Sequence, residues 1–227
     1  MMMCSCKPNE KAIESLKKWS VGAIVTPAAI KSYGEDKVFV STDITDDIYN
    51  RIYGKSYKID CDIPLTDLRY LKILHYDIHG KIHIGEMICN KIIEHDLIAI
   101  FKELYNAKYP IEKMVLIDEY DADDEISMRN NNTSAFNYRE ITGGGKLSKH
   151  ALGLAVDINP LYNPYVKILP NGQVYMEPNN AQPYIDRSKK FDYKIDSSDL
   201  CYRLFKKYNF EWGGDWETRK DYQHFEK

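Results

Sequence analysis

Apolar residues recur at helical spacing after Asn90, where Ile92, Ile93, Leu97, Ile100, Phe101 and Leu104 would line one face of a helix. Asn90 is the expected cap of that helix, and Pro110 lies beyond its end. Before it, residues 68–76 and 81–88 carry alternating or continuous apolar positions on either side of His79-Gly80, a hairpin signal. Residues 10–19 predict a short helix, Lys37 to Ser41 a strand, and Lys113 to Asp118 a buried strand. Residues 161–196 are rich in Pro, Asn and Gly and predict a long loop, suited to forming a cleft wall. Ser198 is the expected cap of a helix running to Lys207, and the last strands should carry Trp212 and His224. Helices mixed with antiparallel strands give the class α+β.

Length and composition narrow the picture. A chain of 227 residues is long enough to bury a core as one domain. Residues 1–20 are expected to form an N-terminal segment ending in a short helix, and residues 21–227 a single domain. Within it, residues 113–227 would be the core and the preceding part an extension packed on it. Neither repeats nor low-complexity tracts occur. A net charge of −3 gives no electrostatic footprint for nucleic acid. No apolar run is long enough to span a membrane. Cys4, Cys6, Cys61, Cys89 and Cys201 do not form paired metal-ribbon spacings, and an odd number leaves at least one unpaired. Residues Met1 to Pro8 read as the tail end of a lipoprotein signal with Cys4 or Cys6 as the lipidated residue, although a basic start and an apolar stretch are missing. Membrane attachment is expected only through such a lipid.

The chemistry lies in two separated stretches, Ser148-Lys149-His150 to Asp157 and Asp221-Tyr222-Gln223-His224. Together they offer two imidazoles and a carboxylate for a zinc ion, with Asp221 spare beside the last ligand. Asp157 sits between Val156 and Ile158, which have the character of buried strand positions, so its carboxylate needs a partner. A metal would supply one; a turn cap at Ile158-Asn159-Pro160 is the alternative. Same-face strand residues are an even number apart, yet His150 and Asp157 differ by seven and Asp221 and His224 by three. His150 should therefore sit in a loop or bulge before the strand of Asp157, and an irregularity should separate Asp221 from His224.

Asp221 is the candidate proton acceptor from water and donor to a departing amine. Arg139 is the candidate cation for an oxyanion or a substrate carboxylate, with a surface salt bridge as the alternative. Ser148 would hydrogen-bond substrate or the ligand loop. Trp216, with Trp212, would wall a cleft or fill the core. Asp215 is a candidate to orient one of the two histidines. Glu226, two residues from His224, is read first as a solvated terminal acid, with a place on the face of His224 as the alternative; Asp186-Arg187 is read as an ion pair or loop anchor, and Asp121 to Asp124 as a solvated acidic loop, with a calcium site as the alternative.

Ser148-x-His150-x-x-Gly153-x-Ala155-x-Asp157, followed by Trp212-Gly213-Gly214-Asp215-Trp216 and Asp221-x-x-His224-Phe225-Glu226, resembles the D-alanyl-D-alanine carboxypeptidase family of VanY-type peptidoglycan peptidases. The resemblance implies a hedgehog/D,D-peptidase-like zinc core with a central antiparallel sheet and flanking helices. It also implies zinc (Zn2+) held by His150, Asp157 and His224, with the catalytic carboxylate on Asp221. Many relatives carry Glu at that last position; Asp is similar to the branch containing L-alanyl-D-glutamate endopeptidases, which leaves the scissile bond open. In other branches the functional Arg lies farther before the first His than Arg139 does. The implied partner is the peptidoglycan stem peptide, and the implied location is the cell envelope after export; a monomer is expected. Carboxypeptidase action is the first expectation. Endopeptidase action and a non-catalytic, zinc-stabilised wall-binding domain are the alternatives.

Overall fold

The computed structural model describes residues 10–141 and 144–227. Met1 to Pro8, with Cys4 and Cys6, lie outside the described residues. The N-terminal half holds α1 (Glu10–Lys18), β1 (Ile24–Val25), α2 (Pro27–Tyr33), β2 (Val40–Thr42), α3 (Asp46–Ile52), β3 (Leu68–Tyr76), β4 (Ile82–Asn90), α4 (Glu94–Asn106) and α5 (Asp124–Arg129). Then follow β5 (Ala155–Asp157), β6 (Tyr165–Ile168), β7 (Val174–Glu177), α6 (Leu200–Lys207), β8 (Glu211–Trp212), β9 (Lys220–Asp221) and β10 (His224–Glu226). The class is α+β. The antiparallel strands are divided among three sheets, ordered β1-β4-β3-β2, β5-β10-β8 and β7-β6-β9, rather than gathered into one central sheet.

The β3–β4 hairpin forms as its alternation predicts, with Leu68 opposite Asn90 and Tyr76 opposite Ile82. Its turn is closed by Asp77, whose backbone N–H bonds the Lys81 carbonyl, and by Gly80 at positive φ. Helix α4 buries Leu97, Ile100, Phe101 and Leu104 against β3. Asn90 does not cap this helix. It ends β4, accepts from Ile92 N through Oδ1 and donates to the Leu152 carbonyl through Nδ2, so it ties the hairpin to the loop of His150. Asp199, not Ser198, caps α6 by accepting from Cys201 N.

Two further expectations change. Lys113 to Asp118 is buried at Met114 and Leu116 but makes only an isolated bridge, Lys113 to Asn132, before a 3₁₀ turn begins at Ile117. Residues 161–196 are not a plain loop: they contain the β6–β7 hairpin, which pairs with β9. Arg187 anchors the rest of that segment, donating to the carbonyls of Tyr162 and Ile195 and to Asn163 Oδ1. The acidic run is partly used as well: Asp123 caps α5 through Ile126 N, and Asp121 pairs with Lys55.

One apolar cluster joins the two halves. Leu71, Ile73, Met87 and Cys89 of the hairpin and Phe101 of α4 pack with Val156, Phe205, Trp212 and Phe225. The strands β5 and β10 therefore stand on a floor supplied largely by the N-terminal half. Among the described residues, no helix is long and apolar enough to cross a membrane, and Cys61, Cys89 and Cys201 are free thiols.

Candidate metal centre

β5 and β10 pair antiparallel with His224 directly opposite Asp157, so their side chains leave the sheet side by side. Val156 and Phe225, the next register pair, point the other way and are fully buried. This alternation explains how a carboxylate and an imidazole meet on one face while their neighbours fill the core. His150 arrives from a turn before β5. Ser148 Oγ accepts from His150 N, and the Gly153 N–H bonds the His150 carbonyl. Gly153 has φ +66°, and a Cβ there would stand 2.7 Å from the Asn90 backbone nitrogen. Glycine is what lets the turn lie against β4 and deliver the His150 ring.

Three atoms converge: His150 Nε2, Asp157 Oδ1 and His224 Nδ1. The two nitrogens are 3.1 Å apart, His150 Nε2 to Asp157 Oδ1 is 3.3 Å, and His224 Nδ1 to Asp157 Oδ1 is 3.1 Å. Zinc bonds of about 2.0–2.1 Å in a tetrahedron set neighbouring ligand atoms roughly 3.3 Å apart, so this triangle has the size of one tetrahedral face. The remaining ring nitrogens have partners of their own. His150 Nδ1 lies 2.6 Å from the Ala135 carbonyl and His224 Nε2 lies 2.9 Å from Glu226 Oε2. A carbonyl can only accept, so it fixes the proton on His150 Nδ1 and leaves Nε2 bare. A Glu226 carboxylate does the same for His224, leaving Nδ1 bare. Two bare nitrogens facing each other beside a carboxylate repel unless a cation lies between them, and the residues fit zinc.

The electrostatics agree. Burial alone would raise the Asp157 pKa, but His150 and His224 hold it well below the usual carboxylate range. Burial would lower the His224 pKa, yet the neighbouring carboxylates of Asp157 and Glu226 raise it. The centre thus favours positive charge at its middle.

Asp221 stands at the end of β9, and Tyr222 and Gln223 break the strand before β10, as the three-residue offset requires. Among the described residues its Oδ1 is buried with no hydrogen-bond partner. Burial, with Asp157 adding to it, pushes the carboxyl up to about 7, against the opposing pull of His224 and His150. Gly213 makes room for it: a Cβ there would lie 2.6 Å from the Asp221 Cβ. Trp212 is core, donating from Nε1 to the Tyr222 carbonyl, while Trp216 packs on the His224 ring at 5.5 Å between centroids.

Other candidates fall differently. Asp215 touches neither histidine; it is exposed and pairs with Lys206, because the 3₁₀ turn of Gly213–Asp215 directs it outward. The acid that orients His224 is Glu226, whose two-residue offset on a strand was the available signal. Asp157 does not cap the following turn. Ser148 is buried and serves the ligand loop. Arg139 is tied through Nε to Asp124 and through Nη1 to the Glu140 carbonyl, on a segment whose backbone pairs with Ser148 and His150.

Residues 142–227 match the family model described as D-alanyl-D-alanine carboxypeptidase. The matched stretch contains His150, Asp157, Asp221 and His224, and it supports a metallopeptidase. No curated protein and no solved structure matches the chain. The residues before the match supply Ala135, whose carbonyl orients His150, and much of the core beneath both ligand strands.

Proposed function

We propose that the chain is a zinc-dependent peptidase with a hedgehog/D,D-peptidase-like core that cleaves peptide bonds in peptidoglycan stem peptides. The first reading is carboxypeptidase action on a terminal D-alanine. The observation that carries it is the triangle of His150 Nε2, Asp157 Oδ1 and His224 Nδ1 with Asp221, whose carboxyl interacts electrostatically with all three and whose Oδ1 has no hydrogen-bond partner among the described residues. His150, Asp157 and His224 would hold the metal. When bound, zinc supplies Lewis acidity, lowering the pKa of water to about 7 and polarising a peptide carbonyl.

The protein's own groups do the rest. Asp221 takes a proton at its free oxygen and later delivers it to the departing amine. Glu226 and the Ala135 carbonyl keep the two rings aimed at the centre. Arg139 is held at Nε by Asp124 and at Nη1 by the Glu140 carbonyl, the ion-pair alternative for this residue. Trp216 would border the cleft. A substrate in the cell wall implies an exported chain acting as a monomer, with any membrane attachment through an N-terminal lipid.

L-alanyl-D-glutamate-type endopeptidase action is the second reading, favoured by Asp rather than Glu at 221. Mass spectrometry of purified muropeptides after incubation with the zinc-loaded chain separates the two. Loss of one terminal alanine supports the first reading, and internal scission supports the second. Intact muropeptides would leave neither standing.

A further inference from the structure

Resting on that peptidase reading, we infer that Arg219 is the residue that grips the substrate's free carboxylate, beside the metal centre. Arg219 is exposed, and its guanidinium lies over the Trp216 ring at 4.5 Å from the centroid. The same ring packs on His224. A guanidinium held over an aromatic face by cation–π attraction keeps N–H donors for a carboxylate, which it can take in bidentate fashion. Among the described residues Arg219 has neither a carboxylate nor a carbonyl partner; its other recorded interaction is electrostatic, with Tyr165, whose backbone pairs with Asp221. The free charge therefore sits on the rim of the same centre, one aromatic ring from a ligand.

The neighbouring cations are committed elsewhere. Arg139 is held by Asp124, and Arg187 is spent on the carbonyls of its own loop. Lys149 donates to the Lys227 carbonyl and Lys220 to the Gly214 carbonyl. Asp157, Asp221 and Glu226 otherwise make the surroundings acidic, which would repel an anionic peptide end. The ligand class is a short peptide with a free C-terminal carboxylate adjacent to the bond that is cut.

The test uses the full chain loaded with zinc and two probes: a peptide ending in D-alanyl-D-alanine as the free acid, and the same peptide as its C-terminal amide. Dissociation constants come from calorimetry, with KM and kcat measured alongside. The wild type should bind the acid at least about tenfold more tightly than the amide. Arg219→Ala should bring that ratio close to one, raising KM for the acid with kcat little changed, and Arg219→Lys should restore part of the preference. Zinc content should be the same in all three. Cleavage or binding of both probes with an equal ratio in wild type and Arg219→Ala overturns the assignment to Arg219 while leaving the peptidase reading intact. Zinc-loaded wild type that binds and cleaves neither probe overturns both the assignment to Arg219 and the carboxypeptidase reading.

Discussion

His224 uses its two ring nitrogens for different purposes: Nδ1 faces His150 and Asp157, and Nε2 faces Glu226 at 2.9 Å. Removing the acid leaves the ring free to turn, so Glu226→Ala should weaken zinc binding by about 10–100-fold, read by competition with a chromogenic chelator. Unaltered affinity would show that the contact does not orient the ligand. Asp221 makes the opposite prediction. Asp221→Ala should keep zinc at wild-type stoichiometry while turnover of stem peptides falls by roughly two orders of magnitude or more. At this scale the chain was readable where residue chemistry and parity acted together. The offsets of seven and three between the paired positions required a turn at His150 and a break before His224, and both are present. Glu226 was misread because its position beside the end of the chain suggested solvent. Asp215 was misread because a local 3₁₀ turn, invisible in the pattern, sets its direction.

The register of β5 and β10 is the element that makes the centre, since a slip by one residue would send Asp157 or His224 into the core. The turn before β5 depends on Gly153, where positive φ and the Asn90 backbone both oppose a side chain. Gly153→Ala should cost about 2 kcal/mol or more in a denaturant titration and weaken zinc binding, because the turn carries His150. A variant as stable as wild type would mean the turn relaxes without harm. The β3–β4 hairpin was legible because both its faces are buried, which gives near-continuous apolar runs, and a Gly marks its turn. The β6–β7 hairpin was not, because Ile168, Val174 and Tyr175 are exposed and no buried face imprints an alternation. Lys113 to Asp118 shows the converse: it is apolar because it is buried, yet it does not enter a ladder.

Over the whole molecule, the shared core links the metal-bearing strands to the N-terminal hairpin, so stability of one half is felt in the other. His75 lies buried on that hairpin, with Nδ1 against the Ile111 carbonyl, and burial lowers its pKa from 6.5 to about 4. His83 stacks on it at 5.4 Å and itself pairs with Asp77. The neutral ring is the folded form, so the stability it contributes is complete above pH 6.5 and is lost as pH falls from 6.5 towards 4. The loss amounts to about 3 kcal/mol at about 1.4 kcal/mol per pKa unit. Urea midpoints across that range should fall for wild type and fall less steeply for His75→Gln; parallel slopes would remove His75 from the account. This coupling was beyond the sequence, which shows four upstream histidines without saying which one is buried.

The most direct test of the central claim is elemental analysis of zinc per chain after gel filtration, for wild type and for His150→Ala and His224→Ala. The account predicts about one zinc in the wild type and close to none in either variant, because each removes one of three ligands. A metal-free wild type after exposure to zinc, or variants that retain as much zinc as the wild type, would contradict it.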